Sequence, residues 1–209
     1  MTLQKIFILV FFEMASSNLI GQSIKDYYIP SQSNYNKASF YTPDKNGNKT
    51  NLTRLIYYDK NADGTYDILD ARMFKGNPTA ISTQTVKITT TEVKMIKSIS
   101  TTVFEKNKKQ TFEPARILIK MPLAGQTISW SVKDEEEPTK YTASWTTVTI
   151  DGQDKKAIKV TCQHSDWKSK TVSYYVQGIG LMNTEFIDEN GTTKPFENFE
   201  VLSYEAIKK

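Results

Sequence analysis

Ile158-Lys159-Val160-Thr161-Cys162-Gln163 and, a little further on, Thr171-Val172-Ser173-Tyr174-Tyr175-Val176 decide how this chain folds. In the first run Ile158, Val160 and Cys162 alternate with Lys159, Thr161 and Gln163. In the second Val172, Tyr174 and Val176 alternate with Thr171, Ser173 and the more amphipathic Tyr175. A two-residue period sends one set of side chains into a core and the other into water, which describes a half-buried β-strand. The same period recurs upstream, where Ile128, Trp130 and Val132 alternate with Thr127, Ser129 and Ser131. Thr, Val, Ile, Tyr and Phe dominate such runs, and these residues suit a pleated, half-buried surface.

Turn chemistry punctuates the runs. Asp44-Lys45-Asn46-Gly47, Asp151-Gly152 and Asp188-Glu189-Asn190-Gly191 read as hairpin connections, since Asn and Gly tolerate positive φ. Thr79 to Glu105 reads as a long extended stretch, with two strands meeting near Thr90-Thr91. Lys133 to Pro138 is an acidic stretch of the kind found at a solvated hairpin tip. Beyond the N-terminal segment no stretch carries a helical stripe, Ile68 to Lys75 being the one candidate for a short helix. The expectation is an all-β single domain over residues 23–209, built from about ten to twelve strands.

Composition agrees. The 209 residues are 38% hydrophobic and 24% charged, which suits one globular domain and excludes a polytopic membrane protein or a disordered chain. The 27 Lys and Arg against 23 Asp and Glu give a net charge of +4, too weak and too dispersed to argue for nucleic acid. One Cys and one His exclude a disulfide framework, a zinc finger and a His-rich metal centre.

Residues 1–22 have the layout of a secretory signal peptide. Lys5 precedes the apolar run Ile6 to Phe12, and the small and polar residues Ala15-Ser16-Ser17 follow. Glu13 interrupts the pattern, and a buried N-terminal strand is the alternative. The apolar run is too short to span a bilayer, which takes roughly 20 residues. The single cysteine is Cys162, so no N-terminal cysteine is available for an acyl anchor. The protein is therefore expected to be extracytoplasmic, periplasmic or secreted, and not membrane-spanning. Asn48, Asn51 and Asn190 each begin an acceptor pattern for glycosylation, and the same residues suit surface turns.

Asp59-Lys60-Asn61-Ala62-Asp63-Gly64-Thr65-Tyr66-Asp67-Ile68-Leu69-Asp70 carries the sharpest chemical pattern. Oxygen ligands at alternate positions, a Gly for the sharp turn and a backbone carbonyl after it are what a calcium loop requires. The candidate ligands are Asp59, Asn61, Asp63, the Thr65 carbonyl, Asp67 and Asp70. Leu55 to Tyr58 is β-rich, which favours a calcium-clasped β-hairpin over an EF-hand. Carboxylates this close repel one another without a cation. The alternative is a metal-free Asp/Asn/Gly turn. In either case the loop is a structural device and not a catalytic one.

Arg116 to Gln126 followed by Ile128-Ser129-Trp130 forms a P-x-x-G-x-x-x-x-W pattern, and Tyr174 to Leu181 forms Y-Y-x-x-G-x-G-L. Together, over about residues 115–187, these resemble a group of secreted and lipoprotein-type bacterial proteins that are broadly similar to the lipoprotein-carrier half-barrels. The resemblance implies a curved antiparallel sheet, a half-barrel or open barrel, around an apolar concave face. In the carrier branch that face holds a lipid chain. The chain departs from the lipoprotein members in lacking the N-terminal cysteine. Two glycines flanking one apolar residue, Gly178-Ile179-Gly180, allow a bulge or tight bend, or let a bulky neighbour pack close.

Three Trp, eleven Tyr and ten Phe supply core and candidate ligand surface alike. Trp130, Trp145 and Tyr174 are the candidates for the concave face, with Tyr174 and Tyr175 pointing to opposite faces so that only one can line it. Cys162 and His164 share a strand face, yet no nucleophile motif surrounds them. The chain is read as a non-catalytic binding protein for a lipid-like or hydrophobic ligand, with a cell-envelope component as a further partner. The alternative is a calcium-stiffened structural or adhesion module at the cell surface.

Overall fold

The computed structural model describes residues 22–31, 37–43, 48–102, 106–133, 138–163 and 169–200. Of the signal-peptide stretch only Gln22 falls among them. His164 and the acidic residues Asp134 to Glu137 also lie outside the described residues.

The chain is all-β, with one short helix among the described residues, α1 (Lys25–Tyr28). Twelve strands follow: β1 (Lys37–Pro43), β2 (Lys49–Lys60), β3 (Tyr66–Phe74), β4 (Asn77–Ile88), β5 (Glu92–Thr102), β6 (Lys108–Lys120), β7 (Ile128–Lys133), β8 (Pro138–Ile150), β9 (Gln153–Gln163), β10 (Lys170–Val176), β11 (Gly180–Ile187) and β12 (Thr193–Glu200). Their order in the sheet is β6-β5-β4-β3-β2-β1-β12-β11-β10-β9-β8-β7, antiparallel throughout. Two six-stranded meanders thus meet at the β1–β12 seam. The outer strands β6 and β7 share no ladder among the described residues, so the sheet stays open. Ile68 to Lys75 is strand and turn, not helix.

Curvature follows from contacts that a flat sheet forbids. Strands lie about 4.8 Å apart, so β6 and β7 would stand roughly 50 Å apart in a flat twelve-stranded sheet. Instead the Trp130 indole N–H on β7 donates to the Ile117 carbonyl on β6 at 3.3 Å. The P-x-x-G-x-x-x-x-W pattern is the crossing between these two edges. Gly125 takes a φ of +69° in the connecting loop, the Met121 N–H donates to the Thr91 carbonyl at 2.7 Å, and Trp130 spans the gap.

One core runs through both meanders. Ile56, Ile68, Val86, Val93 and Ile119 from the first pack with Trp130, Ala143, Ile158, Val160 and Leu181 from the second. The alternation read from the sequence is visible in β7, where Trp130 and Val132 are buried and Ser129, Ser131 and Lys133 are exposed. The Asp151-Gly152 turn joins β8 to β9 with positive φ at both residues, as the sequence requires.

The segment around α1 closes one end of this curved sheet. The Ile24 N–H donates to the Thr90 carbonyl in the β4–β5 turn at 2.9 Å. The Gly178 N–H in the β10–β11 turn donates to the Asp26 carbonyl at 2.7 Å, and the Ser31 N–H to the Gly178 carbonyl at 3.1 Å. Ile24 and Tyr27 are fully buried, and burying such a side chain stabilises by about 1.5–3 kcal/mol. A four-residue helix is too short to hold itself in water, so these contacts hold it.

The G-x-G pair is the seat for that segment. Gly178 and Gly180 adopt φ of +77° and +86°. A Cβ on Gly180 would lie 3.2 Å from the Tyr28 carbonyl oxygen, and one on Gly178 would lie 3.1 Å from the Ser31 hydroxyl. Gly191 also has a positive φ, but a Cβ there meets nothing within 4 Å. Gly180→Ala is therefore expected to destabilise the protein by about 1–3 kcal/mol and to speed hydrogen exchange of the Tyr27 and Tyr28 amides. Gly191→Ala is expected to carry the backbone strain alone and to leave those two amides protected. Denaturant unfolding with amide-resolved exchange measures both.

Candidate functional site

Arg54 is a largely buried cation on the concave face. Arg54 lies on β2 in phase with Ile56 and Tyr58, both on the inner face, and so points inward. Its direct partner on β3 is Arg72, and Asp70 stands diagonal to it. Arg54 donates from Nε to Asp70 Oδ1 at 2.9 Å and from Nη2 to Asp70 Oδ2 at 2.7 Å. It also donates from Nη1 to Glu197 Oε2 at 2.6 Å. Glu197 belongs to β12, so this bond passes over β1 and ties the two meanders at their seam. The side chains of Arg54, Asp70 and Glu197 are 21%, 14% and 9% exposed. Burial alone would make the guanidinium easier to deprotonate. The hydrogen bonds and charges of Asp70, then those of Glu197, outweigh it and raise the proton affinity above the usual arginine value.

Four tyrosines surround this group. Tyr28 from α1, Tyr58 from β2, Tyr141 from β8 and Tyr175 from β10 line a cavity of about 180 Å³, with Arg54 and Asp70 in its wall and Ile56, Ile68, Leu118 and Leu181 as its apolar part. Tyr28 stacks on Tyr175 with ring centroids 5.9 Å apart and meets Tyr58 edge-on at 6.4 Å. Burial raises the Tyr28 phenol well above its usual range, and the neighbouring Tyr175 and Tyr58 add to the effect. Burial also pushes Tyr175 to about 12. A second recess of about 300 Å³ lies on the other side of the Arg54–Glu197 bond. Leu52, Met73 and Phe196 line it, together with Arg54 and Glu197 themselves. Leu52 and Phe196 are exposed there.

The three expected ligand-face residues fall in different places. Trp130 and Trp145 are both on the concave side and pack in its core. Trp130 stacks on Tyr141 at 5.3 Å, and Trp145 packs edge-on against Tyr27 at 5.3 Å with Lys156 Nζ 3.9 Å over its ring. They support the cavity wall from behind. Tyr174 is a correction. It points to the other face, where its hydroxyl donates to Glu185 at 3.0 Å, and Tyr175 takes the inward position. The reason is register: Tyr175 sits opposite Ile158, a core residue, and Tyr174 opposite Lys159. Cys162 is half-buried opposite Tyr141 on the concave side.

The calcium-loop residues do not converge as a set of six. The stretch is a β-hairpin, as the flanks suggested, with β2 and β3 meeting at Asn61 to Thr65. Asn61 donates from Nδ2 to the Thr65 hydroxyl at 3.0 Å, and Asp63 accepts from the Thr65 N–H and hydroxyl at 2.9 and 2.6 Å. Those bonds hold the Asp63 carboxyl below its usual range. The Thr65 carbonyl accepts from the Asn61 N–H at 2.9 Å. Asp59 and Asp67 stand opposite each other on the outer face, where Asp67 accepts from the Thr85 hydroxyl at 2.7 Å. Asp70, three residues beyond Asp67, has the opposite phase and turns inward to Arg54. Among the described residues no group of three or more His, Cys, Asp or Glu side chains is placed to hold a metal ion.

Sequence reasoning passed over Arg54, Glu197, Tyr28 and Tyr58. The phase of Arg54 was the available signal, since it shares a strand face with Ile56 and Tyr58.

Two measurements follow from this geometry. Asp70→Asn removes a charged acceptor from Arg54 and is expected to destabilise by about 2 kcal/mol, within the range for hydrogen bonds to charged groups. The loss is expected to be equal in calcium and in chelator by denaturant unfolding; a loss seen only with calcium would return Asp70 to the loop. At high pH the buried phenols govern. An unfolded tyrosine ionises near 10, whereas burial holds Tyr27 and Tyr175 at about 12. Between those values the native state binds more protons than the unfolded one, so stability is whole below pH 10 and falls as pH rises towards 12. Melting temperature across that range, alongside the phenolate absorbance, records it.

No family model, curated protein or solved structure matches this chain.

Proposed function

We propose that this protein is a non-catalytic, extracytoplasmic binding protein whose concave face holds a lipid-like ligand beneath the α1 segment. The observation that carries the proposal is the space left on the concave face, part of it beneath Tyr28 of α1. The 180 Å³ cavity and the 300 Å³ recess flank the Arg54–Glu197 bond, and each has an apolar part, Ile56, Ile68, Leu118 and Leu181 in one and Leu52, Met73 and Phe196 in the other. Taken together they reach the roughly 300–1,000 Å³ typical of ligand pockets. A sheet built only for rigidity gains from filling such space, because voids forfeit packing contacts.

Further support comes from the cover. The α1 segment is held by a few hydrogen bonds between two hairpin turns and not by a ladder. Segments with few backbone bonds open at lower free energy than sheet cores, which gives a ligand a route in. The signal-like layout of residues 1–22 supports placing this activity outside the cytoplasm. The half-barrel resemblance over residues 115–187 points the same way.

Native mass spectrometry of the secreted protein tests the proposal. An adduct of several hundred daltons that survives gentle desolvation is expected. Leu181→Trp, which fills the cavity wall, is expected to remove the adduct while the circular dichroism spectrum stays that of the parent. A bare parent chain would overturn the binding role and favour a structural module at the cell surface.

A further inference from the structure

Tyr28, Tyr58 and Tyr175 reach the 180 Å³ cavity from three different elements. None of their hydroxyls has a hydrogen-bond partner among the described residues, and none is sealed from open space. Tyr28 is only 8% exposed. Buried polar groups in folded proteins are almost always paired, with protein, water or ligand. Three phenols that converge on one space with no protein partner, beside Arg54, Asp70 and Gln84, therefore define a polar site.

The charges around that site select the kind of group it takes. Arg54 gives Nε and Nη2 to Asp70 and Nη1 to Glu197. Arg54 is the cation in the cavity wall, and both carboxylates already engage it, so an anionic head would meet no uncommitted cation in that lining. A cationic head needs an open ring face. The Tyr28 ring is instead stacked on Tyr175 and edge-on to Tyr58, so the rings cover one another. What remains is the tyrosine hydroxyls and the Gln84 amide, uncharged groups that both donate and accept. At about 30 Å³ per water, the cavity holds roughly six water-sized atoms, the number of heavy atoms in a three-carbon triol.

We infer that the cavity formed by Tyr28, Tyr58 and Tyr175 is a head-group site for an amphiphile with an uncharged, hydroxyl-rich head of about glycerol size. This rests on the concave face being a ligand site and adds to it the chemistry that is selected. The apolar recess beyond Arg54, with Leu52 and Phe196, is where the attached chain lies.

The experiment uses three amphiphiles with the same ten-carbon chain: monodecanoylglycerol, decyl phosphate and decyltrimethylammonium. Each is titrated into the secreted protein by calorimetry, below its micelle concentration. The glycerol head is expected to bind at least tenfold more tightly than either charged head. Tyr28→Phe, Tyr58→Phe and Tyr175→Phe are each expected to weaken that binding by about three- to tenfold, the loss of one net hydrogen bond, and to leave decyl phosphate unchanged. Tighter binding of a charged head, or equal binding of all three, overturns the inference while leaving the binding role intact. Phenylalanine variants that bind the glycerol head as well as the parent do the same, and assign the cavity to water alone. If none of the three amphiphiles binds and the native spectrum shows a bare chain, the binding role falls with it. The comparison of heads on the parent protein decides the matter even if one variant fails to fold.

Discussion

A sheet of twelve strands has one continuous apolar face, and among the described residues a four-residue helix is the only helix to cover it. That face has to be buried against itself, so the sheet must curve until its two meanders share one core. The rest of the molecule follows from this constraint. Curvature brings β6 and β7 within reach of one another, and Trp130 closes the distance with a single side-chain hydrogen bond. Curvature also leaves an end to be stopped, and the α1 segment stops it by bonding to the β4–β5 turn on one side and the β10–β11 turn on the other.

Burial against itself also explains why Arg54 is held as it is. A guanidinium on the inner face of a curved sheet is largely withdrawn from water, and leaving it unpaired would be costly. Asp70 meets it with both oxygens and Glu197 reaches it over β1. The cluster pins the seam between the meanders, and Arg54 stands in the wall of both recesses. A buried ion pair is a weak source of net stability when compared with good apolar packing. What it supplies here is a tie between the two meanders that crosses over β1.

The fold was legible because its evidence is local. Period-two alternation, turn residues and β-branched content are properties of adjacent residues, and they located β7, the β4–β5 turn near Thr90 and the Asp151-Gly152 hairpin. The site was legible only in part. Trp130 and Trp145 were placed on the correct face because their phase follows from their own strands. Tyr174 was placed on the wrong one because the apolar members of its run, Val172 and Val176, are themselves buried on the face away from the cavity, so hydrophobicity did not identify the concave side. The calcium-loop pattern is a statement about spacing along the chain. It does not know that strand pleating turns Asp67 outward and Asp70 inward.

Amino-acid order by itself determined that the chain is antiparallel β and where some of its hairpins turn, Asp151-Gly152 among them. These are settled by backbone sterics and by the two-residue period, which act over a few bonds. Tertiary structure alone decided that Arg54 finds Glu197 across another strand, that Tyr28 from a segment with no readable period joins Tyr58 and Tyr175, and that their hydroxyls meet open space. Those outcomes depend on how far the sheet curves and on the register at which distant strands meet, and neither quantity is encoded in any short stretch of sequence.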